Sequence, residues 1–196
     1  YNIQKEMVDL DILDTIKTER RTCLHHHENP LIHQLASHLA KAEAPVIVSG
    51  YGCIRSGARQ LLSRLSEQYN IPVTSTLKGK GAINEDSPLS LGSLGVTSSG
   101  YAYDSIVNHA DLVLVLGASF NERTSYLWNN KLLGGKTVLQ VDTNDEQLEK
   151  VYTADIAINA DISEVLTGIL QQLETMDGAR KVLTDIPGYK KILETR

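Results

Sequence analysis

The sequence has little of what usually settles a function quickly. It holds two cysteines, Cys23 and Cys53. That is too few for a four-ligand zinc site, and a domain of this size does not need a bridge, so both read as reduced thiols of a cytoplasmic protein. Basic residues are not in excess: 19 Lys and Arg stand against 24 Asp and Glu, a formal net charge of −5, and no Lys/Arg run breaks the balance. The basic footprint that a phosphate backbone demands is missing, so no nucleic acid is expected as a partner. No apolar run approaches the length of a membrane span, and the opening "YNIQKEMVDLDIL" lacks the basic-then-apolar order of a signal peptide. No membrane partner is expected. The first residue is not methionine, so the chain is expected to be a piece of something longer.

What is present is an alternation of buried strands and amphipathic helices. With 41% hydrophobic residues, 196 residues suffice for one well-buried core. Residues 1–28 show no sustained period and read as a linker. Asn29 followed by Pro30 reads as a helix cap with a first-turn proline, ahead of an apolar face at Leu31, Ile32, Leu35, Ala36 and Leu39. "APVIVSG", "IPVTST", "ADLVLVLG", "KTVLQVD" and "ADIAIN" read as strands, with a helix through Leu61, Leu62 and Leu65 and another over "DISEVLTGILQQLE". Continuous apolar strands separated by helices imply an α/β fold, a three-layer open parallel sheet with helices on both faces. The domain is expected over 29–175, with a second linker over 176–196.

In such a sheet, ligands sit beyond the carboxyl ends of the strands, so the residues directly after each strand carry the information. After the first strand, "GYGCIRSG" spaces its glycines as G-x-G-x-x-x-x-G and misses the dinucleotide fingerprint G-x-G-x-x-G. The second strand ends in "STLKGKG", with no carboxylate for an adenosine ribose. An ordinary NAD-dependent dehydrogenase is disfavoured. A glycine turn at a helix start accepts a diphosphate through its N–H groups, and the same turn also serves merely to reverse the chain.

Other motifs reduce to structural readings. "NKLLGGKT" lacks the first glycine of a Walker loop and precedes a strand instead of following one. The run His25, His26, His27 lacks the spacing of metal ligands, so no metal is assigned. No G-x-S-x-G elbow occurs, and Glu122 and Asp142 are lone loop carboxylates, so no catalytic residue is assigned. "SFNERTSYLWNN" gathers the one Phe, the one Trp, a Tyr and Arg123 after the most apolar strand. Aromatic rings with an arginine suit a flat anionic cofactor and equally suit a core, and the sequence leaves both open.

Taken in order, these segments resemble the central domain of thiamine-diphosphate-dependent enzymes of the acetolactate synthase and pyruvate oxidase type. "IPVTSTLKGKGAINEDSPLSLGSLG" is similar to that family's "iPv-tt-x-x-GKG" block, the most specific stretch. "ADLVLVLGASFNER" lines up with "aDlvl-x-lGaRfddR", and "VLQVDTNDEQLEKVYTADIAINADI" with "x-v-h-i-D-i-d-p-x-e-i-x-k…d-i-x-i-x-G-D". "APVIVSGYG…SGA" resembles the first strand and turn, and "YNIQKE" the end of the preceding domain.

The resemblance implies a six-stranded, Rossmann-like sheet that carries FAD in some members, an ADP-type nucleotide in others and no ligand in several. Carried over, Gly50 and Gly52 match the turn near the diphosphate, Arg123 the second arginine of the loop, and Asp142 and Asp161 the carboxylates near the adenosine. Ser119 stands where the first arginine is expected, Asn121 and Glu122 replace two aspartates, and Ala160 replaces a glycine. These departures weigh against FAD and leave an ADP-type nucleotide as the better candidate.

The resemblance also implies a transferase or lyase acting on 2-oxo acids, in which this domain spaces a preceding and a following catalytic domain. Thiamine diphosphate and magnesium belong to those domains, whose activating glutamate and "GDG…N" motif do not occur here. The chain alone is expected to be inactive, and the full-length protein to be a homo-oligomer. The alternative is a free-standing FAD- or nucleotide-binding redox domain.

Overall fold

A computed structural model describes residues 29–176. The linker segments expected at either end, with Cys23 and the His25–His27 run, therefore lie outside the described residues, apart from Met176. The order is α1 (Pro30–Lys41), β1 (Pro45–Ser49), α2 (Tyr51–Arg55), α3 (Arg59–Tyr69), β2 (Val73–Thr76), β3 (Ser90–Leu94), α4 (Tyr101–His109), β4 (Leu112–Leu116), β5 (Thr137–Asp142), β6 (Ile156–Asn159) and α5 (Ile162–Thr175). Asn29 caps α1 as expected: its side chain accepts from the Leu31 N–H at 2.9 Å, with Pro30 in the first turn.

All strands join one parallel 6-stranded sheet in the order β3-β2-β1-β4-β5-β6. This is the doubly wound order, with the switch point between β1 and β4. Every residue of β1 and β4 is buried, so both faces of the sheet centre are covered. Burial of each β4 leucine or valine contributes about 2 kcal/mol to that core. On one layer α5 packs against both α1 and α3, and Gly168 lets Ile32 approach so closely that a Cβ there would sit 2.9 Å from its Cγ2.

Two elements were not evident in the sequence. β3 is short and irregular: its register against β2 shifts, Gly92 takes φ +74°, and the Thr74 hydroxyl donates to the Gly92 carbonyl at 2.9 Å. A serine- and glycine-rich strand repaired by a side-chain bond has no apolar signature. α4 starts at Gly100, in the left-handed conformation, with no side-chain cap to mark it. No described helix is long and apolar enough to cross a membrane.

Candidate functional site

The carboxyl ends of the strands form one edge, and every site residue expected from the sequence lies on it. Gly50 and Gly52 follow β1, Arg123 lies in the loop after β4, Asp142 ends β5, and Asp161 follows β6. Asp142 and Asn159 are register partners, so the two aspartates come from neighbouring strand ends.

At the switch point the glycines are packed against backbone. A Cβ on Gly50 would meet the Gly117 carbonyl oxygen at 2.0 Å; on Gly52 it would meet the Gly117 Cα at 2.6 Å; on Gly79 the Ser49 carbonyl oxygen at 2.5 Å. Their N–H groups are also engaged: Gly50 donates to the Leu116 carbonyl at 2.8 Å, Gly52 to that of Gly117 at 3.0 Å, and Gly117 to that of Val141 at 2.8 Å. The turn stands at the carboxyl edge as its order of parts implies, yet these two amides do not face an open cleft. Close approach of the β1 and β4 ends is the need that these glycines meet here.

Cys53 is sealed beneath the turn. Its thiol donates to the Leu116 carbonyl at 3.4 Å. Burial, reinforced by the Asp142 carboxylate and opposed by a backbone bond at Gly50, pushes its pKa up to about 12. Such a thiol is inert.

The carboxylates hold local backbone. Asp142 is buried and accepts from the Asn144 N–H at 2.9 Å. Asp161 caps α5, accepting from the Ser163 N–H at 2.8 Å and its hydroxyl at 2.5 Å. Arg123 is exposed, and its side chain enters no salt bridge among the described residues. Ser119 is exposed as well.

Beyond Arg123 the chain makes a left-handed turn: Tyr126, Leu127 and Trp128 have φ of 51°, 59° and 61°. Each such residue costs about 1–2 kcal/mol without glycine. Aromatic contacts and hydroxyls offset that strain. The Tyr152 hydroxyl donates toward the Ser125 and Asn129 carbonyls at 3.3 and 3.0 Å, and Tyr103 accepts from Asn129 Nδ2 at 2.8 Å and stacks on Tyr126 at 4.3 Å between centroids. Burial, with help from Tyr103 and against the bond at Ser125, pushes the Tyr152 pKa up to about 12. Leu127 and Trp128 are left 65% and 53% exposed.

A cleft of about 500 Å³ opens between this turn and the segment after β5, lined by Ser119, Phe120, Asn121, Trp128, Gln147, Lys150 and Val151. Gln140, buried in β5, donates to the Gln147 carbonyl at 3.0 Å and accepts from the Glu149 N–H at 2.9 Å. Sequence reasoning reached the Phe120–Trp128 wall and missed Gln147, Lys150 and Tyr152. A glutamine inside the apolar strand "TVLQVD" was the available signal, since a buried amide must have partners.

Comparison with known proteins gives the fold an identity. Residues 32–169 match the family described as "Thiamine pyrophosphate enzyme, central domain". The chain belongs to this family. It is 35% identical over 140 residues to "Acetolactate synthase large subunit" of Pyropia yezoensis, covering 71% of this chain and 23% of that protein. It is 34% identical over 143 residues to "Acetolactate synthase" of Arthrospira platensis, covering 72% and 24%. It is 32% identical over 158 residues to "Acetolactate synthase isozyme 3 large subunit" of Escherichia coli (strain K12), covering 80% and 27%. The matched segment thus spans about a quarter of the length of these relatives. A thiamine pyrophosphate enzyme central domain, not a free-standing redox domain, is the reading these matches favour.

Proposed function

We propose that this domain serves a thiamine-diphosphate-dependent transferase or lyase that acts on 2-oxo acids in the manner of acetolactate synthase. The match across residues 32–169, at about a quarter of the relatives' length, carries the reading. Segments 1–28 and 176–196 lead to a preceding and a following catalytic domain, the whole protein is a cytoplasmic homo-oligomer, and this domain holds the two catalytic domains apart. Thiamine diphosphate supplies the carbanion chemistry when bound. The residues of this chain do not fit it. The "GDG…N" motif is missing from the sequence, and no group of three or more His, Cys, Asp or Glu side chains among the described residues is placed to hold a divalent cation.

The carboxyl edge keeps part of a nucleotide site. Arg123 is exposed to meet a phosphate, and Asp142 and Asp161 stand on neighbouring strand ends. FAD binds weakly on this reading, because Ser119 offers no charge where an arginine is expected. Losing one charge-assisted hydrogen bond costs about 1.5–3 kcal/mol, roughly ten- to a hundredfold in affinity. An ADP-type nucleotide, held mainly through Arg123, is the ligand better matched to what remains.

The test is direct. The chain, supplied with pyruvate, thiamine diphosphate and magnesium, should show no turnover, whereas the gene's full reading frame should extend in both directions and yield a protein that consumes pyruvate. Turnover by this chain alone would overturn the assignment.

A further inference from the structure

β3 and β4 are separated in the sheet by β2 and β1, so their ends stand roughly 14 Å apart. The loops that follow them nevertheless meet. The Val96 N–H donates to the Arg123 carbonyl at 3.0 Å, and the Gly95 N–H to the Tyr126 hydroxyl oxygen at 3.4 Å. The Ser98 hydroxyl gives its hydrogen to the Gly95 carbonyl at 2.6 Å, so Tyr126 is the donor of the 3.1 Å bond between the two hydroxyls. One tyrosine hydroxyl thus accepts from one end of the Gly95–Ser98 turn and donates to the other.

Tyr126 is a firm post, with its ring stacked on Tyr103 of α4. What it holds is less firm. Val96, Thr97 and Ser99 are exposed and Ser98 is half-buried, so hydrogen bonds and not burial fasten this turn. Its ends are Gly95 and Gly100, with φ of +150° and +81°. A Cβ on Gly100 would meet no atom within 4 Å, and one on Gly95 would meet only the Arg123 carbonyl group, its oxygen at 3.4 Å. Space would admit a side chain at both, unlike at Gly50, and the backbone conformation is what calls for glycine. Between them the Ser98 N–H donates to the Gly95 carbonyl at 2.9 Å, which closes the turn into one piece. Exposed side chains and few fastenings mark the parts of a fold that open first, and element ends of this kind absorb the φ/ψ change of a hinge.

We propose that residues 96–99 form a flap, hinged at Gly95 and Gly100 and latched shut by the Tyr126 hydroxyl, which swings off the loop after β4 without unfolding the sheet. Opening frees the Arg123 carbonyl, the Tyr126 hydroxyl and the N–H groups of Gly95 and Val96 together. The latch therefore decides whether this corner of the edge bonds to itself or to solvent. The flap requires neither the nucleotide reading above nor a bound ligand.

Amide hydrogen exchange of the ligand-free chain, read by NMR, tests the flap. Tyr126→Phe keeps the ring on Tyr103 and removes only the latch. Exchange of the Val96 N–H should speed up about tenfold, as the loss of one to two hydrogen bonds implies, while the Leu114 N–H in the centre of β4 keeps its rate. Ser98→Ala cuts the latch from the other side and should speed Val96 as well. Tyr103→Phe is the control: it loses the bond from Asn129 and touches no bond of the flap, so Val96 should exchange as before. Unchanged Val96 exchange in either latch variant would overturn the proposal, because nothing would then be latched. An equal rise at Leu114 would overturn it too, since the turn would open only when the whole domain unfolds.

Discussion

The two halves of the carboxyl edge solve opposite problems. Around β1 and β4, Gly50, Gly52, Gly79 and Gly117 remove side chains so that backbones touch, and the amides of Gly50, Gly52 and Gly117 bond to carbonyls at neighbouring strand ends. Around β5, bulky residues accept left-handed backbone so that Leu127, Trp128 and Lys150 face outward beside a cleft. A glycine-rich turn is thus the closed part of the edge, and the segment without any glycine turn is the open part. Glycine spacing marks where two backbones meet, and whether the second one belongs to a ligand or to the protein depends on a strand far away in sequence.

The sharpest way to break that contrast is Gly50→Ala. Its Cβ would collide with the Gly117 carbonyl, which cannot swing aside, so a loss of about 3 kcal/mol is expected, at the upper end for overpacking. Gly57→Ala is the control: φ is +68° with no atom within 4 Å of the new Cβ, and conformational strain alone should cost about 1 kcal/mol. Urea denaturation that gave the two variants equal losses would show that the switch point is looser than described. On the open side, Gln140→Leu should cost about 2 kcal/mol, because it leaves the Gln147 carbonyl and the Glu149 N–H without their partner.

Titration sharpens the comparison next. Cys53, under the glycine turn, has its pKa raised from 9.0 to about 12, and Tyr152, beside the cleft, from 10.0 to about 12. Above pH 9 the unfolded thiol ionises while the folded one keeps its proton, and the same holds for the phenol above pH 10. The native state then binds more protons, so stability is full below pH 9 and falls as pH rises toward 12. The slope should approach about 1.4 kcal/mol per pH unit for the sealed Cys53 and be smaller for Tyr152, which solvent partly reaches. Cys53→Ala should flatten the onset, near pH 9, and leave the tyrosine's part, measured by thermal melts across that range. Lys136, whose pKa burial lowers, acts in the other direction and reduces the net slope.

The smallest effect should be a gain. Leu127 is exposed and left-handed, so Leu127→Gly relieves about 1–2 kcal/mol of strain against roughly 1 kcal/mol of added chain entropy. A net stabilisation of about 0.5 kcal/mol is expected, and a loss would mean that the leucine is held by contacts of its own.

The strands with apolar signatures, β1, β4 and β5, were legible in the sequence, as was the Asn29–Pro30 start of α1. Those elements form from local pattern, and burial on both faces writes itself as a continuous apolar run. β3 was not legible, because Gly92 and its serines pack through a register shift and a threonine bond instead of through apolar contacts. The edge residues were placed correctly by their position after strands, but their contacts were not. Nothing near Gly50 reveals that Gly117 will fill the space before it, and nothing near Trp128 reveals that Tyr152 and Gln140 will hold the cleft open.

The division of the edge is tested most directly by amide hydrogen exchange, read residue by residue by NMR, with and without saturating ADP. The N–H groups of Gly50, Gly52 and Gly117 should exchange slowly in the free protein, protected by the Leu116, Gly117 and Val141 carbonyls, and ADP should not change their rates. Fast exchange at Gly50 and Gly52 that becomes slow when ADP is added would contradict the account and return the glycine turn to the role of a phosphate cradle.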